Sequence, residues 1–241
     1  MERQAILNWM QYPPHNREEG PVPFLFNISG PIGILQSELD WRLFDFCRIH
    51  QIVYDEIENI EKQLDEIEIE PFSKDIDDPS NLNISRKLTF IMDKTIENNR
   101  IISFVDHITI VGLWAIAEQF LGKIYRAYLS KVKGIEESEI QTPYKWNDFD
   151  IEFQKLGIDI EKCENYLNAN ECRILNNAIK HTGTVNSALE KFEYFKPHTG
   201  QNLEKVPLEM QRYLNGVSNF LGSLIENGNK KIEEITPTNK L

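Results

Sequence analysis

The sequence predicts an all-α fold, an antiparallel helical bundle. Apolar residues recur every three or four positions over long stretches, no stretch alternates as a half-buried strand would, and glycines stand where helices should stop. With 241 residues, 41% hydrophobic and 10% aromatic, the chain is long enough to bury a sizeable core and too apolar to stay disordered. Residues 1–35 read as an N-terminal helix and an extended arm packed on the body, and residues 36–241 as one bundle domain.

Ala5, Ile6, Trp9 and Met10 give residues 1–12 the apolar face of a short helix, which Pro13 and Pro14 end. Five prolines and three glycines around Phe24-Leu25-Phe26 make residues 13–34 extended. From about Gln36 to Glu68, residues such as Leu39, Leu43, Phe46, Ile57 and Leu64 trace a long amphipathic helix whose acidic second half is a solvated face. Residues 70–84 form a polar loop; Asp75, Asp77 and Asp78 lack the spacing of a calcium loop.

A helix follows over 85–98, then a second over 99–132 that Gly134 stops. The second is apolar almost all round from Ile101 to Ile116, which marks it as the buried spine, with His107 and Glu118 as polar intruders. Lys123, Arg126, Lys131 and Lys133 cluster near its end. They complement the helix dipole and are the best candidates for contact with an RNA backbone. Trp146 opens a short helix through Leu156, Asp159 caps another to about Leu167, and a final helix covers 207–234.

The net charge of −12 gives no global field to attract nucleic acid, so RNA contact needs a local basic patch. Cys47, Cys163 and Cys172 lack metal spacing and suit buried thiols in a reducing cytoplasm. No secretory leader, bilayer-spanning stretch, metal motif or phosphate loop is legible, so the expectation is a cytoplasmic protein with no membrane contact and no cofactor.

The chain is organised around Asn170-Glu171-Cys172-Arg173-Ile174-Leu175-Asn176-Asn177-Ala178-Ile179-Lys180-His181, closed by Thr182-Gly183. Asn168 is placed to cap this helix and Glu171 to reach back to it, while Gly183 supplies the left-handed stop. At 100° per residue, Arg173, Asn176, Asn177, Lys180 and His181 share one side, and Ile174, Leu175, Ala178 and Ile179 the other. Any surface helix shows a polar row opposite an apolar stripe. Adjacent asparagines in a helix interior are not chosen for propensity, however, and a terminal histidine holds its proton well.

The run Arg173 to His181 resembles the signature helix of HEPN-domain proteins, an all-helical family rich in prokaryotic toxin and defence ribonucleases. Their motif is an Arg, often followed by Asn, then a short spacer and a His. Here Asn177 and His181 stand where expected, Asn176 takes the place of the Arg, and Arg173 lies one turn earlier. Residues 153–160 and Tyr166 resemble the lead-in to this helix in some HEPN groups. The resemblance implies a metal-independent endoribonuclease of a toxin or phage-defence system, with an antitoxin or regulatory partner. The alternative it carries is a catalytically degenerate interaction module.

In such an enzyme His181 would move the 2′-hydroxyl proton, Arg173 would clamp phosphate, and Lys180 would add positive charge. Asn177 would hold the phosphate or His181, with Asn176 and Glu118 in supporting parts. Arg173 and His181 are eight residues apart, about 12 Å along the axis, so one helix cannot aim both at one phosphate. The resemblance therefore implies a homodimer through the 170–183 helix, with Arg173 of one chain beside His181 of the other.

Overall fold

The computed structural model describes residues 29–235; the expected helix over 1–12 and the arm up to residue 28 lie outside the described residues. Among the described residues the fold is all-α: α1 (Ile34–Asp65), α2 (Pro79–Lys133), α3 (Trp146–Lys155), α4 (Tyr166–His181) and α5 (Met210–Ile235), with short 3-10 turns between them. A single isolated bridge, Thr184 with Asn202, is the only extended pairing among the described residues.

The helices expected over 85–98 and 99–132 are one helix of 55 residues, about 80 Å long. Neither Pro nor Gly interrupts it before Gly112, so the polar stretch around Asn98 and Asn99 carries no stop. It also begins earlier than the loop expectation allowed. Asp78 accepts the Ser80 amide at 2.9 Å, and Pro79 takes the first helical position, where its missing amide hydrogen costs nothing. Gly134, at φ 68°, ends it as expected.

α1 runs antiparallel to α2 and α4 to α5, whereas α2 and α5 run the same way, Ser103 meeting Glu204 just before α5 and Tyr128 lying beside Gly228 within it. Lys123 bonds Glu38 at 2.8 Å near one end of the α1–α2 pair, and His50 and Tyr54 share Asp106 at 2.9 and 2.8 Å further along. The start of α1 is tied to the end of α5 by Asn229, which accepts the Ile32 amide at 2.8 Å and donates to the Ser29 carbonyl. On another flank of α2, Tyr125 meets Phe149 and Phe153 of α3 edge-on. Leu39, Leu113, Ile124, Leu175, Phe220 and Leu224 fill the centre.

Two expectations about α2 need correcting. Its apolar run is buried at Ile110, Leu113, Trp114 and Ile116, but Ile101, Phe104 and Ile108 remain exposed, because α1, α3, α4 and α5 leave one side open. By length and composition α2 is also apolar enough to cross a membrane, which the sequence reading had not found; part of that stretch is buried within the fold.

α5 approaches α4 closely at Gly216, where an added Cβ would lie 2.6 Å from the Cβ of Asn168. Asp40 is the awkward residue of α1. Gln36 bonds its Oδ1 at 2.7 Å, while its buried Oδ2 has no partner. Burial raises its carboxyl above the ordinary value, opposed by the Gln36 bond. The folded chain thus holds this proton to higher pH than the unfolded chain does. The cost of ionising Asp40 is in force above the raised value and vanishes as pH falls through the carboxylate range. Asp40→Asn should therefore melt at a higher temperature than wild type at about pH 7 and lose that advantage near pH 3, measured by circular dichroism.

Candidate functional site at the exposed edge of α4

α4 starts earlier than its sequence suggests. Asn165, at φ 55°, turns the chain into it, so Asn168 lies inside the first turn and caps nothing. Its Oδ1 accepts from Arg212 at 3.2 Å. Glu171 does not reach back either. It is buried, and Arg212 of α5 grips both its oxygens, Nη1 to Oε2 at 2.8 Å and Nη2 to Oε1 at 2.5 Å. The Tyr213 hydroxyl donates to the same Oε1 at 2.8 Å.

The surroundings of Arg212 favour its charged form. Burial works against the Arg212 guanidinium, but the bonds and field of Glu171 outweigh it and raise its pKa. Burial and Glu171 together push the Tyr213 hydroxyl well above its ordinary value. Arg212 also lies over the Tyr213 and Tyr194 rings at 4.8 and 5.5 Å. Its Nε sits 2.6 Å from Glu209, a charge contact outside hydrogen-bond geometry. The far end of α4 is as expected: Gly183, at φ 63°, donates to the Ala178 carbonyl at 2.8 Å.

The polar row is only partly outside. Asn177, Lys180 and His181 are exposed. Asn176 is buried, because it continues the inward stripe of Ala169 and Cys172 one turn on, and its Nδ2 donates to Asn177 Oδ1 at 3.2 Å. Ile174, expected inside, is half-buried near the outward edge.

Arg173 is also half-buried. Its Nε and Nη2 both donate to Asn170 Oδ1, at 3.0 and 2.8 Å, and its guanidinium lies 5.1 Å over the Trp146 ring of α3. Burial lowers its pKa, yet an arginine keeps its charge. The result is a guanidinium held between Asn170 and the Trp146 ring.

Glu118 supports neither Arg173 nor His181 directly. It accepts from the Trp114 indole of its own helix at 2.9 Å, and Trp114 packs 5.6 Å from Trp146, on which Arg173 rests. The basic cluster is also remote. Leu203 donates to the Gly183 carbonyl at 2.9 Å and Ser103 to the Glu204 carbonyl at 3.2 Å, which sets the His181 end of α4 level with Ser103 on α2. Lys123 lies twenty residues further along, about 30 Å away, with Arg126, Lys131 and Lys133 beyond it. Lys123 is engaged by Glu38; Arg126 is half-buried, and Lys131 and Lys133 are exposed.

Among the described residues no group of three His, Cys, Asp or Glu is placed to hold a metal ion. The cysteines are free, and burial pushes the Cys47 thiol up to about 12 and raises those of Cys163 and Cys172. None is an activated nucleophile.

Sequence reasoning missed the Glu171–Arg212 pair because nothing in the spacing of residues 41 apart announces it. Removing the carboxylate charge leaves Glu209 as the remaining charge beside a guanidinium whose side chain is 25% exposed. Glu171→Gln should lower stability by about 2–3 kcal/mol in urea unfolding, less than for a fully buried pair.

Comparison with protein-family models, curated proteins and solved structures finds no match to this chain.

Proposed function

We propose that the chain is a HEPN-like, metal-independent endoribonuclease of a toxin or phage-defence system, working as a homodimer through α4. The observation that carries this is the exposed edge of Asn177, Lys180 and His181, with the guanidinium of Arg173 two turns upstream. A two-fold axis at Asn177 brings Arg173 of one chain level with His181 of the other, since each lies four residues from the axis. His181 then takes the 2′-hydroxyl proton as the oxygen attacks phosphorus, and later a proton returns to the leaving 5′-oxygen. Arg173 and Lys180 stabilise the charge that builds on the phosphorane oxygens.

One specific observation favours a second reading. Asn176, standing where the motif has its Arg, is buried and cannot touch a substrate, and Arg173 is already bonded to Asn170. A HEPN-like module that has lost catalysis and serves as an interaction or regulatory partner fits those facts. Cleavage of single-stranded RNA in EDTA separates the two. Active wild type, with His181→Ala and Arg173→Ala each slowed by about 10²-fold or more, supports the enzyme. Inert wild type supports the module, and cleavage undiminished in both variants refutes the site.

A further inference from the structure

The open side of α2 carries a row that no other element among the described residues covers. Ile101, Phe104 and Ile108 are 38%, 65% and 50% exposed, Val111 is half-buried and Ala115 exposed, while Asp106, Thr109, Ile110 and Leu113 on the opposite side are buried. The row continues with Lys94 and Glu97, paired with each other at 2.6 Å, at one end and at the other with Glu118, one of whose oxygens accepts from Trp114. Positions 94, 97, 101, 104, 108, 111, 115 and 118 alternate steps of three and four, the spacing at which one helix packs along another. The full row spans about 36 Å. Contiguous apolar exposure of this kind marks a contact surface.

We propose that this face pairs with a second copy of the chain, two α2 helices lying antiparallel about a two-fold axis between Phe104 and Ile108. The charges choose the occupant and the direction. In the register that sets Phe104 against the partner's Ile108, Ile101 meets the partner's Val111 and Glu97 the partner's Ala115. Lys94 then meets the partner's Glu118. Every layer joins one end of the row to the other, so Ile101, Phe104, Ile108 and Val111 meet apolar residues, Glu97 lies over the small Ala115 at the margin, and Lys94 meets the opposite charge of Glu118. Parallel pairing would stack Lys94 on Lys94 and Glu118 on Glu118. A bilayer would have to take up the same three charges within the stripe, which is costly. This pairing does not rest on the ribonuclease reading, and it uses a different surface from α4.

The test is the molar mass of the full chain by light scattering after size exclusion, with circular dichroism as the folding control. Wild type associates, Lys94→Glu and Glu118→Lys each halve the mass at the same concentration, and the double exchange restores it. Phe104→Glu halves it too. A monomeric wild type, single reversals that leave the mass unchanged, or a double exchange that fails to restore it would each overturn the pairing. So would wild type that stays monomeric and floats with vesicles of phosphatidylcholine and phosphatidylserine, which assigns the face to lipid. Variants of Asn177 or Ile174 on α4 report on the other surface, so failure of one pairing is distinguishable from failure of the other.

Discussion

The grip of Arg212 on Glu171 decides which side of α4 faces water. A carboxylate buried between helices is tolerable only with its charge partner and full hydrogen bonding, and Arg212, Tyr213 and the α4–α5 approach at Gly216 provide these. With Glu171, Cys172, Leu175 and Asn176 turned inward, the edge left over is Arg173, Asn177, Lys180 and His181. The exposed edge is thus a by-product of an ion pair on the other side of the same helix. Its rigidity comes from the same source, supplemented by Trp146 under Arg173.

That rigidity is also a limit. A straight helix keeps Arg173 and His181 about 12 Å apart, and the Asn170 and Trp146 contacts hold the guanidinium in place. The basic cluster cannot help, because α2 carries it about 30 Å beyond the level of His181. Any chemistry that needs both groups therefore needs a second chain. The long α2, partly in the core and open along Ile101 to Ala115, is a separate surface from the α4 edge.

Much of the fold was legible because helices announce themselves locally. Apolar recurrence located α1 and α5 and most of α2, which it divided in two, and Gly134 and Gly183 marked the stops of α2 and α4 through the left-handed backbone that glycine adopts freely. What misled was chemistry read as position. Asn176 looked like part of the polar row because its angle falls at the row's margin, between Lys180 and Cys172, and the packing takes it inward with Ala169 and Cys172. Glu171 had the spacing of a capping box, and its long-range partner on α5 outcompeted the local one. The spine looked buried all round because hydropathy does not say which flank lacks a neighbour. Glu118 was assigned through the resemblance and the Lys123 cluster by charge, and only the contacts of the loop after α4 with α2 reveal how far that cluster lies from His181.

The central claim is that one working site takes its arginine from one chain and its histidine from another. The direct measurement is RNA cleavage in EDTA by Arg173→Ala and His181→Ala chains, each assayed alone and then mixed in equal amounts after dissociation and reassociation. Half of the mixed dimers carry one of each chain, and each of these has one intact site of two. The account predicts two inactive parents and a mixture with roughly a quarter of the wild-type rate. A mixture as inactive as its parents, beside an active wild type, would contradict it.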